Sequence, residues 1–154
     1  MKEKLFEAFS DLGFVLEPEE NANYSFTYEG MNFLLVYNDS DEEFLSLSLP
    51  GIYECEEGKA LQACALMEKI NSTLKYVKTF ICGSSIWLFY ERELIGDEDF
   101  MKTIPQMIIR LVSALKFARK VMAEIEEATS DASSEEGSKE TVAEEVTDND
   151  EEQN

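Results

Sequence analysis

The residues able to do chemistry in this chain are few and poorly combined. Histidine is absent, so the commonest general base at neutral pH and the commonest metal ligand are both missing. A serine or cysteine nucleophile has no imidazole to activate it, and no G-x-x-x-x-G-K, G-x-G-x-x-G or G-x-S-x-G motif occurs. Glu91 and Glu93 could pair as carboxylates for acid–base work, but the sequence gives neither a pocket nor a second group that would separate their pKa values. Asp39-Ser40-Asp41 resembles the opening of a calcium loop. Its sixth position, however, is Phe44, where the sharp turn needs glycine, and its twelfth is Pro50, where a bidentate glutamate belongs. That segment reads as a solvated turn. The acids Glu54, Glu56 and Glu57, and again Asp97, Glu98 and Asp99, stand at expected helix starts, where negative charge suits the helix dipole. Lys116, Arg119 and Lys120 suit the C-terminal end of a helix by the same rule. The inventory predicts no catalytic residues, no metal ligands and no cofactor.

Charge and length narrow the class further. The 154 residues carry a formal charge of −20, and that charge repels nucleic-acid phosphates and anionic membrane surfaces alike. Residues 1–128 hold 23 acidic and 12 basic side chains, while 129–154 hold ten acids and Lys139. The second segment has Val142 and Val146 as its only larger aliphatics, too little to offset the entropy of ordering, so it is expected to be a disordered acidic tail. One domain over 1–128 is expected, since 44% apolar content suffices for a core. The longest uncharged run, near Ile81 to Tyr90, is too short to span a bilayer as a helix. Met-Lys-Glu-Lys opens an amphipathic pattern in place of an apolar signal core. The cysteines Cys55, Cys64 and Cys82 are odd in number and form no C-x-x-C pair, which fits a reducing compartment. A cytoplasmic location is the expectation.

The periodicity of the apolar residues sets the element order. Leu5, Phe6, Phe9 and Leu12 recur at helical spacing, and Gly13 follows as a C-cap. After the polar stretch 17–23, Tyr24 to Tyr28 alternates with period two, and Glu29-Gly30 turns it into Met31 to Tyr37. Phe44 to Leu49 alternates again, with Leu45, Leu47 and Leu49 opposite Ser46 and Ser48, and Pro50-Gly51 is expected to end that strand. Ala60, Cys64, Met67, Ile70 and Leu74 mark a second helix between about 56 and 74. Tyr76 to Ile81 and Ile86 to Tyr90 read as two more strands. In the latter, Ile86, Leu88 and Tyr90 point one way and Trp87 and Phe89 the other, which implies cover on both faces. A last helix begins near Asp97 and runs to about Glu127 along the seam Ile104, Ile108, Leu111, Leu115, Ala118, Met122, Ile125, with a bend expected near Pro105. The aromatic set Tyr24, Phe26, Tyr28, Phe33 and Tyr37 can fill a core or line a peptide groove.

This order of helix, three strands, helix, two strands and helix resembles the YbjN family of bacterial proteins described as candidate sensory transduction regulators, a family similar in fold to class I type III secretion chaperones. The closest local likeness runs from Met67-Glu68-Lys69-Ile70-Asn71 into Tyr76-Val77-Lys78-Thr79-Phe80, a turn, Ile86-Trp87-Leu88-Phe89-Tyr90 and the acidic helix start at Asp97. The resemblance implies an α+β module whose five antiparallel strands carry helices. It also implies a homodimer that holds another polypeptide. Carried onto this chain, the dimer contact falls on Cys64, Met67, Trp87 and Phe89, and the partner surface on Leu5, Phe9, Phe26 and Phe33. The functional expectation is a non-enzymatic chaperone-like holder or regulatory adaptor in bacterial sensory or stress signalling. Its rivals are a small-ligand sensor with an internal apolar pocket and a carboxylate-dependent hydrolase.

Overall fold

Helix α1, Lys2–Asp11, buries Leu5, Ala8 and Phe9 along one stripe and ends where the Leu12 and Gly13 amides donate to the carbonyls of Ala8 and Ser10. The computed structural model describes residues 1–37 and 40–144. After α1 come β1 (Glu17–Pro18), a 3-10 turn (Glu20–Ala22), β2 (Asn23–Tyr28), β3 (Met31–Val36), β4 (Phe44–Glu54), α2 (Ala60–Thr73), β5 (Val77–Cys82), β6 (Ser85–Glu93) and α3 (Phe100–Glu144). The strands form one antiparallel sheet in the order β1-β2-β3-β4-β6-β5. The α+β class and the element order agree with the expectation, but the sheet has six strands where five were expected. The added one, β1, pairs Glu17 with Ser25 and Pro18 with Tyr24. The β2–β3 hairpin turns at Glu29 and Gly30, both with positive φ (48° and 76°), as a tight two-residue connection requires.

Pro50-Gly51 does not end β4. The strand runs on to Glu54 through a register shift between Leu49 and Tyr53, and Gly51 takes a φ of 63° there. A bulge is where a strand tolerates a proline without losing a ladder bond. In α3, Pro105 lies in the second turn and the helix continues through it. So early in a helix, the amide that proline lacks leaves a carbonyl near the exposed Met101 unpaired, where water can reach it.

The three helices share one face of the sheet. Phe26, Phe33, Leu35, Leu45, Leu47, Leu49, Ile86 and Leu88 point into it and meet the α1 stripe, Ala63, Leu66 and Ile70 of α2, and Ile104, Met107, Ile108, Leu111 and Leu115 of α3. The regular inward alternation of β3, β4 and β6 produces this single layer of core. No helix among the described residues is long and apolar enough to cross a membrane.

Helix α3 runs on into the segment expected to be a tail. Residues 129–144, expected to be disordered, continue as helix, and 145–154 lie outside the described residues. Extending an existing helix avoids the nucleation cost, so a segment in which four glutamates and two alanines favour helix can propagate it without apolar burial. From Glu126 to Ala132 every side chain is exposed. Ending the chain at Ala128 is therefore expected to leave the thermal midpoint within about 2 °C of the full chain. Far-UV circular dichroism should lose helix signal at low temperature. A drop of ten degrees or so would mean that the distal helix packs on the body.

Candidate functional site

With the helices on one face, the other face of the sheet is the extended surface left to contact anything else. It is not polar. In β6, Trp87 is half-buried and Phe89 is 7% exposed, although both point away from the helices. Their cover comes from the sheet itself. The ring of Phe80 on β5 stacks on Phe89 at 4.1 Å with 5° between planes, and Trp87 stacks on Phe89 at 6.0 Å and 17°. A cross-strand aromatic pair such as Phe80 and Phe89 stabilises a sheet by fractions of a kcal/mol to about 1 kcal/mol. The Trp87 indole N–H donates to Ser85 Oγ at 3.1 Å, so the indole is oriented as well as stacked. The two-sided strand is thus covered by helices on one side and by its own aromatic row on the other.

Beside that row the pairing sets Leu34 and Val36 of β3 opposite Ser48 and Ser46 of β4, and these in turn opposite Phe89 and Glu91 of β6. Ser48 is 0% exposed, so its larger neighbours close over β4 there, and Ser46 is reached only at the hollow beyond it. The flanking strands stand two strand spacings apart, about 9.6 Å. Ser48 Oγ is fully buried and has no hydrogen-bond partner; Ser46 Oγ donates to Glu91 Oε1 at 3.5 Å. On one side of this closed strip lies a hollow of about 710 Å³, reached by Phe14, Glu17, Phe26, Phe33, Leu34 and Trp87 among others. On the other lies one of about 360 Å³ lined by Val36, Asp41, Phe44, Ser46 and Glu91.

The sheet edges are closed differently. At one edge, β1 is two residues long and contains a proline, a poor template for a further strand. At the other, Asn71 of α2 reaches the outward-facing backbone of Thr79 in β5. Its Nδ2 donates to the Thr79 carbonyl at 3.1 Å, and its Oδ1 accepts from the Thr79 amide at 2.7 Å and hydroxyl at 3.2 Å. One side-chain amide occupies the central one of the outward-facing donor and acceptor pairs that an incoming strand would use.

The residues singled out from the sequence are distributed otherwise than expected. Leu5, Phe9, Phe26 and Phe33 are 0%, 0%, 3% and 0% exposed, so they form core and not a partner surface. The α1 stripe lies on the aromatic row of β2 and β3, with Phe9 to Phe26 at 5.2 Å and Phe26 stacked on Phe33 at 5.3 Å. Burying rings of this size against each other removes a large apolar area from water, which holds α1 on the sheet. The four residues offered as one dimer contact are divided by the sheet. Exposed Cys64 and half-buried Met67 are on α2, on the helix side, and Trp87 and Phe89 are on the opposite face. Glu91 forms an ion pair with Lys78, so the carboxylate pair with Glu93 is not a free one. Asp39 of the calcium-like turn lies outside the described residues, and among the described residues no group of three or more His, Cys, Asp or Glu could hold a metal.

Titration is displaced mainly at helix starts. The hydrogen bond from Lys102 holds the Asp99 carboxyl below its ordinary value, and the bond to Glu56 raises Lys59. Burial pushes the Cys82 thiol up, which makes it a poor nucleophile near neutrality. None of these groups forms a reacting pair. The sequence reading missed Leu34, Val36, Phe44 and Phe80 as surface. It also missed a clamp on the helix side, where Arg110 lies 4.3 Å from the Tyr76 ring and donates to the Tyr90 hydroxyl at 2.6 Å. Tyr76 sits there with a φ of 69°, a conformation that costs energy and persists only when its surroundings fix it.

No family model matches the chain, and no curated protein sequence matches it. Solved structures do. The crystal structure of YbjN from E. coli, described as a candidate transcription regulator, superposes with a TM-score of 0.60 at 14% identity, covering 77% of this chain and 90% of YbjN. An uncharacterized protein from Methanothermobacter thermautotrophicus gives a TM-score of 0.50 at 15% identity, covering 82% of this chain and 97% of that one. At these identities the likeness is one of fold, and it is the fold that the element order pointed to: this chain has a YbjN-like fold.

Proposed function

We propose that this chain is a non-enzymatic polypeptide-binding module, a chaperone-like holder or regulatory adaptor, and that it binds through the helix-free face of its sheet. The observation that carries this reading is the row of Phe80, Phe89 and Trp87 on a face with no helix over it, with a hollow of about 710 Å³ at Trp87. Aromatic anchors beside a hollow are what a docking surface uses. The blunted edges favour the face over strand addition. The absence of histidine and the engagement of Glu91 by Lys78 support a non-enzymatic role. The core between sheet and helices is filled by side chains such as Phe9, Phe33, Leu66 and Ile104, which disfavours an internal ligand pocket. The description of the E. coli relative as a candidate transcription regulator fits an adaptor acting on proteins, because a charge of −20 opposes DNA.

We place the homodimer contact of this proposal on the outer flank of α2, where Leu61 is 84% exposed beside Cys64 and Ala65. That location leaves the sheet face free. The face itself is tested by replacing Phe80 with the photoreactive p-benzoylphenylalanine and cross-linking in the cells of origin. Ile109 on α3, exposed and apolar, is the control position. A defined polypeptide captured from position 80 and not from 109 supports the reading. The same yield at both positions, or none at 80, overturns it.

A further inference from the structure

A gap in the sheet faces an unpaired cation. The β3–β4 ladder holds Leu34 to Val36 against Ser48 to Ser46 and stops there, although β3 begins at Met31 and β4 runs to Glu54. Because Tyr28 and Met31 close the two-residue hairpin, the ladder's alternation turns the Asn32 amide and carbonyl toward β4. The residue next in register opposite Asn32 is Pro50, which has no N–H to give, and the bulge carries Pro50-Gly51-Ile52 out of pairing with β6 as well. This separation leaves a hollow of about 380 Å³, within the roughly 300–1,000 Å³ of small-ligand sites. Met31, Leu49, Ile52 and Leu115 make it apolar, and Arg119 of α3 is the only charged residue in its lining. Among the described residues no ion pair joins Arg119 to a carboxylate, not even to Glu126, which shares with it an adjoining hollow of about 170 Å³. In a chain of −20, a guanidinium without a counter-ion beside an apolar hollow selects one negative group attached to an apolar body.

Resting on the polypeptide-binding reading, we infer that this hollow holds the C-terminal residue of the bound polypeptide, an apolar one, with its carboxylate on Arg119. The position suits that role. Asn32 and Pro50 also line the hollow at Trp87, so a chain lying on the helix-free face would end over the rim of the sheet. Its last side chain enters among Met31, Leu49 and Leu115, and the carboxylate meets the planar fork of the guanidinium. The Asn32 backbone supplies an amide and a carbonyl to the peptide bond before it, as an open strand position does. Other anions fit less well. Nucleic acid carries a charge at every phosphate where the hollow offers one cation, and the chain's own segment 145–154 brings five carboxylates with Val146 as its only aliphatic.

The test records amide NMR spectra of the isotope-labelled full chain during titration with four probes. One is a short glycine–serine peptide ending in leucine with a free carboxylate. The others are the same peptide amidated at its C-terminus, the same peptide ending in serine, and octanoate. The free leucine peptide is expected to shift the Asn32, Gly51 and Ile52 amides and the Arg119 side-chain N–H, and to bind about tenfold more tightly than the amidated form. Arg119→Gln, at an exposed position, is expected to abolish that preference while leaving the melting temperature and the binding of the amidated peptide unchanged. Equal binding of acid and amide, or of the leucine and serine ends, overturns capture of an apolar terminus. Octanoate binding as tightly as the leucine peptide assigns the hollow to a free acid and overturns the polypeptide occupant. No shift at these residues with any probe overturns the site. The docking face itself is judged by the cross-linking at position 80, so the two readings fail separately.

Discussion

Phe33→Ala is expected to lower the free energy of unfolding by about 3–5 kcal/mol, the range for deleting a fully buried phenyl ring from a packed core. Phe33 is 0% exposed, stacks on Phe26 at 5.3 Å, and stands in the row that meets α1. The native state of a domain this size is favoured by only about 5–15 kcal/mol, so the variant should be marginal at physiological temperature. Phe33→Leu refills most of the volume and is expected to cost about 1–2 kcal/mol. Urea denaturation followed by far-UV circular dichroism gives both values. The measurement also decides between two readings of the same residue. Were Phe33 an exposed contact for an extended partner, as expected from the sequence, its truncation would change stability by no more than about 0.5 kcal/mol. A loss that small would place the ring outside the core and return Leu5, Phe9 and Phe26 to candidacy as a binding surface.

The contrast explains what could be read from the amino-acid order. Periodicity reports which residues share a face, and it did so for α1, for β4 and β6 and for the seam of α3; in α2 it marked Ala60, Cys64 and Met67 with Ile70, whereas the helix buries Ala63, Leu66 and Ile70. It does not say which face is covered. Leu45, Leu47 and Leu49 alternate with Ser46 and Ser48 whichever side the helices take, and Trp87 and Phe89 look like a second buried face in any strand read alone. The cover over Phe89 comes from Phe80, a residue on a different strand that reaches it only through the β5–β6 register. A surface made from strands that are distant in sequence has no local signature. The two strand errors have local causes. Glu17–Pro18 has no apolar pattern because β1 is exposed on both sides. The continuation of β4 past Pro50-Gly51 depends on a bulge, where the usual punctuation of Pro and Gly marks an irregularity inside a strand and not its end. The serines of β4 show the same limit: Ser48 buries an unpaired hydroxyl at some cost in stability, and only the assembled face gives a reason for a small side chain there.

The protection of β5 leads to the second large effect. Asn71→Ala removes three hydrogen bonds to Thr79, whose residue is only 6% exposed, and frees one amide and one carbonyl on the outer edge of the sheet. The expected cost is about 1–3 kcal/mol, set by how fully water can reach those groups. The larger consequence is kinetic and intermolecular. With the plug gone, Val77 to Cys82 presents an open edge flanked by the exposed apolar side chains of Phe80 and Ile81, the combination from which edge-to-edge association starts. Asn71→Asp separates the two contributions. It keeps an acceptor for the Thr79 amide, loses the donor to the carbonyl, and places a negative charge where a strand would dock, so it is expected to be destabilised yet to remain unassociated. Light scattering over a dilution series, paired with denaturant titration, reads both quantities on each variant. Concentration-dependent growth in Asn71→Ala alone is the expected pattern. Equal association in the two variants, or in neither, would show that the edge is held closed by something other than this side chain, and the case for docking on the face over strand addition would lose one of its two supports.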